Sequence, residues 1–138
     1  MVNILDIRDI QHLNLFSKIT GISTRFCFMY NETIIFAVPK NFVSKAIGES
    51  GKNVRRINEI IHKKIKILAS PKGIEDAGRF IKDVVSPVNF NKMEIKENEI
   101  IITAGSQNKA ALLGRNKRRL LELQKIVKDF FKKDLRIV

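Results

Sequence analysis

The sequence predicts an α+β protein of two tandem units, residues 1–70 and 71–138, each a three-stranded sheet packed against three helices. Three observations lead there. The chain carries an internal repeat, each copy passes from β-rich alternation to helical periodicity, and a Ser70-Pro71-Lys72-Gly73 stretch punctuates the join. A length of 138 residues suits two small domains, and 44% hydrophobic residues suffice for packed cores.

The elements follow in order. "ILDIRDIQHLNLFSKI" sets Ile7, Ile10, Leu13 and Phe16 or Ser17 on adjoining turns, which predicts a first helix with one apolar face. "RFCFMY" and "TIIFAV" are β-rich runs joined by Asn31-Glu32, so a hairpin is expected, although its link lacks the favoured glycine. A short helix comes next, with Asn41 after Pro39 as its expected N-cap. A glycine turn leads into a longer helix, whose Val54, Ile57, Ile60 and Ile61 are spaced as one buried face. "KIKIL", from Lys64, closes the copy as a strand.

Laying Gly48 on Gly114, an offset of 66, repeats this grammar. "GIEDAGRFIKDVV" offers Ile74, Ala77, Phe80 or Ile81, and Val84 as a helix face. "KMEIK", Glu97-Asn98 and "EIIIT" form a second hairpin. Ser106 is the expected cap of a short helix, and Leu120, Leu123, Ile126, Val127 and Phe130 mark the long one. "DLRIV", from Asp134, is the closing strand.

Charge narrows the function. The net charge is +12, and each half contributes +6, from 11 basic and 5 acidic residues in 1–70 and 15 and 9 in 71–138. An excess this evenly spread serves an anionic partner rather than the fold. Cys27 is the sole cysteine, so no intrachain disulfide forms; in "RFCFMY" it reads as a buried strand residue. No apolar run approaches the roughly 20 residues needed to span a membrane, and "MVNILDIRDI" lacks a signal peptide's basic start. A soluble, cytoplasmic protein with no membrane partner is expected.

The turn "AIGESGKNVRRI" looks made for phosphate. A nucleotide-binding P-loop requires glycine at 46 and a hydroxyl at 53, to wrap the phosphates and bind magnesium. Ala46 and Asn53 stand there, so a hydrolytic nucleotide site is excluded. Gly48-Glu49-Ser50-Gly51 is instead a G-x-x-G turn between two helices. Its glycines permit positive φ and let a nucleic-acid backbone approach without a Cβ in the way. The following helix presents its amides and positive dipole end to phosphate, and Lys52, Arg55 and Arg56 add charge while Val54 and Ile57 stay with the core. Glu49 is the exception, an acid expected to point to solvent, with Ser50 free to donate a hydrogen bond.

On these residues the sequence resembles the KH domain, whose G-x-x-G loop clamps about four nucleotides of single-stranded RNA. Because the hairpin precedes the helices, the resemblance is to the type II arrangement. The two-copy layout is similar to that of archaeal NusA-like transcription elongation and termination factors. The resemblance implies binding of nascent single-stranded RNA by tandem type II KH domains, and RNA polymerase as a further partner. Within it, Gly48, Glu49, Ser50, Gly51, Lys52, Asn53, Arg55 and Arg56 form the first RNA-binding loop. Gly114, Arg115, Asn116, Lys117, Arg118 and Arg119 form the second. Lys117 replaces the last glycine, which either crowds the RNA backbone or substitutes a direct phosphate contact; both readings stand. Bases are expected in a neighbouring groove, for which Val43, Ile47, Ile57 and Ile67 are candidates, although such residues are mostly core. Changing Gly48 and Gly51 together to aspartate is expected to abolish most binding and spare the fold.

No catalytic constellation is visible. His12 and His62 lie in different expected helices, and their spacing to each other and to Cys27 suggests neither a metal nor a triad. No enzyme activity, cofactor, metal or small-molecule substrate is therefore expected. Three rivals keep their place: a KH-type protein of ribosome biogenesis, a scaffold docking on RNA polymerase or ribosome through protein contacts, and a helix-turn-helix DNA binder. The hairpin and closing strand in both copies argue against the last.

Overall fold

A computed structural model describes residues 7–138, which fall into two compact units, 7–70 and 71–138. The first unit runs α1 (Ile7–Thr20), β1 (Phe26–Tyr30), β2 (Thr33–Val38), α2 (Val43–Ile47), α3 (Lys52–Ile61) and β3 (Lys64–Ala69). The second runs α4 (Ala77–Val85), β4 (Lys92–Ile95), β5 (Glu99–Thr103), α5 (Ser106–Leu113), α6 (Arg118–Phe131) and β6 (Asp134–Ile137). Each unit is thus an α+β fold with one three-stranded sheet and three helices, apart from short 3-10 turns.

The two sheets share one topology. β2 sits in the middle, antiparallel to β1 (Cys27 opposite Phe36) and parallel to β3 (Phe36 opposite Ile67). β5 is central in the same way, with Met93 opposite Ile102 and Ile102 opposite Ile137. A parallel pair needs a long crossover, and here α2, the glycine turn and α3 supply it. The central strands are the most apolar stretches and the most buried, over Ile34–Val38 and Ile100–Ile102. In the first unit Phe16 of α1 stacks on Phe36 with ring centroids 4.4 Å apart, and Ala46, Ile57 and Ile67 complete the same core. In the second, Phe80 packs on Phe130 at 4.7 Å, and Leu112, Leu123, Ile126 and Val127 are buried.

The Asn31-Glu32 link closes its hairpin by taking positive φ at both residues (50° and 59°), as a two-residue turn of type I′ requires. Glycine is the usual way to reach that geometry; here Asn and Glu adopt it. Glu97 and Asn98 do not follow, although Lys96 N–H still bonds the Glu99 carbonyl at 2.8 Å.

Several expectations need correction. Asn41 caps nothing: it lies in a 3-10 turn, Lys40–Phe42, that precedes α2. Ser106 is the first residue of α5, and Gly105 occupies the cap position without a side-chain bond. Ile7, Ile10 and Ile74 are exposed. α1 packs through Leu13, Leu15, Phe16 and Ile19, and in its first turns Asp9 and His12 turn toward β1 while Ile7 and Ile10 lie on the solvent side. Ile60 is half exposed, while its counterpart Ile126 is buried.

The repeat holds its 66-residue offset from β1 to the turn before the long helix. It then slips by four, because α6 has 14 residues and α3 has ten, so Lys64 corresponds to Asp134. The extra residues make about one helical turn and bring Phe130 and Phe131 against Phe80.

Candidate nucleic-acid interface

The first loop is a tight bridge from α2 to α3. Gly48 ends α2 at φ 83°, its N–H on the Ser44 carbonyl at 3.0 Å, and its own carbonyl receives the Gly51 N–H at 3.0 Å. Ser50 and Gly51 are both left-handed, at φ 54° and 75°. Two side chains brace the bridge. Asn53 Nδ2 donates to the Ala46 carbonyl at 3.1 Å, tying the start of α3 to the end of α2, and Arg55 Nη1 donates to the Ser50 carbonyl. The brace explains why residue 48 must be glycine. A Cβ there would lie 2.9 Å from Asn53 Nδ2, on top of the strain of positive φ. At Gly51 the nearest atom is Arg55 Nη1 at 3.6 Å, which leaves room for a side chain. The double aspartate change would therefore not spare the turn: position 48 disrupts the bridge, and only position 51 tests the loop cleanly.

The second loop repeats the bridge with different residues. Gly114 has φ 73°, Asn116 and Lys117 take 56° and 58°, and Lys117 N–H reaches the Gly114 carbonyl at 3.2 Å. Arg119, at the position of Asn53, donates from Nη1 to the Ala111 carbonyl at 3.0 Å, and a Cβ on Gly114 would lie 2.8 Å from Arg119 Cγ. Lys117 thus keeps the glycine-like backbone without being glycine. Left-handed geometry costs an L-residue about 1–2 kcal/mol, and glycine's larger unfolded-state entropy returns part of that. Lys117→Gly is expected to stabilise the protein by about 0.5–1 kcal/mol, read as a higher urea midpoint; a lower midpoint would show that the lysine contributes more in place than its backbone costs.

The charge pattern runs against helix stability. A helix N-terminus prefers acids, yet neither α3 nor α6 has one in its first turn, and no side chain caps either start. Lys52, Arg55 and Arg56 are exposed at the head of α3; Arg115, Lys117 and Arg118 are exposed at the head of α6. Cations gathered on a positive dipole end, with first-turn amides alongside, suit an anion from solvent. Glu49 is exposed, with its carbonyl accepting the Lys52 N–H, and its counterpart in the second loop is Arg115. The second loop is accordingly the more cationic.

A groove opens beside the second loop between α5, α6 and the edge strand β6. Leu113, Leu120, Leu135 and Ile137 give it an apolar floor; Lys109, Lys117, Gln124 and Arg136 supply polar groups, in a volume of about 440 Å³. Arg136 pairs with Glu99 at 3.3 Å, and Gln124 Nε2 donates to the Leu135 carbonyl at 3.1 Å. In the first unit Ile47 and Ile67 occupy the positions of Leu113 and Ile137. Ile57 is wholly buried and so belongs to the core. A separate groove lies between α1 and α3, floored by Leu15, Ile19 and Ile60 and flanked by Lys18, Lys52 and Arg56.

All fourteen loop residues therefore cluster at the two helix–helix turns, with Asn53, Arg55 and Arg119 occupied as braces. One group escaped notice in the sequence. Asp9, His12 and Cys27 converge where α1 meets β1, their ligand atoms all within 4.8 Å of one another. His12 and Cys27 lie fifteen positions apart and no motif joins them, so only packing reveals the trio. No helix among the described residues is long and apolar enough to cross a membrane.

No family model matches the chain. It is similar to three archaeal proteins, each named probable transcription termination protein NusA. That of Methanococcus vannielii is 29% identical over 100 residues, covering 71% of this chain and 56% of the relative. Those of Methanocaldococcus jannaschii and Halococcus morrhuae are each 25% identical, over 128 and 129 residues, covering 68% and 91% of the relatives. The chain thus spans little more than half of the first relative and most of the third. The resemblance to archaeal NusA-like proteins is shown by these matches. The crystal structure of the protein APE1850 superposes with a TM-score of 0.68 at 19% identity, over 96% of this chain and 99% of that one, a likeness of fold.

Proposed function

We propose that the chain is a non-enzymatic, cytoplasmic transcription factor that binds single-stranded nascent RNA through tandem type II KH domains, residues 1–70 and 71–138, and modulates termination or elongation. The observation that carries this reading is the repeated four-residue bridge. Two loops of different sequence adopt the same left-handed geometry, and each delivers exposed cations and uncapped amides to one spot. Such a spot takes phosphate, and the apolar groove beside the second loop takes a base. The hairpin ahead of the helices, and the parallel strands flanking the turn, support the type II assignment. The names of the archaeal relatives support the link to termination, and with it RNA polymerase as a partner.

Single strands are favoured over duplex because the groove beside the second loop has an apolar floor suited to an unstacked base. In an anisotropy assay, labelled single-stranded RNA of about ten nucleotides is expected to bind, and unlabelled RNA to compete at least tenfold better than duplex DNA. Equal competition by the duplex would favour the DNA-binding reading. Capture of RNA polymerase that survives nuclease treatment, with no RNA binding in that assay, would favour a docking scaffold.

A further inference from the structure

We propose that Asp9, His12 and Cys27 form a zinc-binding site in the first unit, separate from the RNA-facing loop. Asp9 and His12 lie one turn apart on α1 and therefore share a face. Cys27 is the second residue of β1, buried, on the same sheet face as its partner Phe36. Packing of α1 on β1 brings a carboxylate oxygen, an imidazole nitrogen and a thiol sulfur within 4.8 Å of one another.

The donor set names the metal class. Magnesium and calcium take oxygen ligands, whereas a thiolate with an imidazole selects zinc among the common divalent ions. Tetrahedral zinc, with bonds of about 2.0–2.3 Å, sets its donors about 3.3–3.8 Å apart. The trio reaches that spacing by side-chain shifts of about an ångström. Three protein donors leave the fourth position to water. On binding, the Cys27 thiol gives its proton to solvent, and the imidazole and carboxylate coordinate in their unprotonated forms. The ion exchanges for contacts the three side chains otherwise make. Asp9 and His12 are half-buried, so the ion arrives from their side and reaches the buried sulfur last.

The second unit shows that the fold does not require such a trio. The strand position equivalent to Cys27 is Met93, and it faces Gly78 of α4, where a Cβ would lie 3.4 Å from the methionine Cε. One copy sets a methionine against a glycine in this corner; the other places three metal-binding groups in it.

The test is a titration of the reduced, full-length chain with Co²⁺ as the spectroscopic probe. One ion per chain is expected to bind, with a thiolate-to-cobalt charge-transfer band in the near ultraviolet and the visible bands of a tetrahedral ion. Zn²⁺ should displace it and raise the thermal midpoint. Cys27→Ser should abolish the charge-transfer band, and His12→Ala should weaken affinity by more than about tenfold. A second reading needs no variant: bound Zn²⁺ should slow alkylation of Cys27 relative to the chelator-treated protein. Absence of the charge-transfer band, its survival in Cys27→Ser, or equal alkylation rates would overturn the proposal.

Discussion

Gly51→Asp is expected to weaken single-stranded RNA binding by about 2 kcal/mol, roughly 30-fold in Kd, while lowering stability by only about 0.5–1 kcal/mol through left-handed strain. Gly51 is left-handed at φ 75°, a conformation aspartate tolerates better than most residues, and an added Cβ meets only Arg55 Nη1 at 3.6 Å. The change meets no clash and costs only the backbone strain of a left-handed aspartate. The ligand is repelled, since a carboxylate now faces the phosphate path. Gly51→Asn is the control: nearly the same shape without the charge, so it should retain most of the affinity if repulsion is the cause and lose it equally if close approach is. Wild-type affinity in Gly51→Asp would remove the first loop from the interface.

The second large effect concerns salt. Arg115, Lys117 and Arg118 are exposed at the head of α6, and each phosphate neutralised on a single strand adds about −0.7 to the slope of log K against log salt. Changing all three to glutamine is expected to flatten that slope by about 2. At low salt it should lower affinity about a hundredfold, at about 1 kcal/mol per lost contact. Arg119 must stay, because its guanidinium ties α6 to the Ala111 carbonyl and its loss would blur binding with folding. An unchanged slope would place the phosphate contacts elsewhere. A full loss with an intact first loop would show that the second loop, despite Lys117, is the stronger half.

The comparison of Gly48 with Gly51 shows how far the sequence reaches. Both read alike as loop glycines. In the fold, one accommodates a bracing asparagine and the other accommodates nothing closer than an arginine tip. Asn53 and Arg119 read as RNA ligands and turn out also to hold the bridge, one by an amide and the other by a guanidinium. Only contacts between the start of one helix and the end of another could reveal that.

What the sequence determined by itself is what short-range pattern encodes: the repeat, the order of helices and strands, the two hairpins, the turn positions and the charge that calls for an anion. These depend on periods of two and 3.6 residues and on glycine punctuation, all local. The tertiary structure alone decided matters that depend on distant neighbours. Which helix faces found a partner left Ile7, Ile10 and Ile60 exposed. Positive φ at Asn31 and Glu32 appears in one hairpin and not in its counterpart, and bridge geometry placed it on Lys117. Packing of α1 on β1 brought Asp9 and His12 to Cys27, because a helix and a strand can meet at any sequence separation and leave no spacing in the chain to announce it.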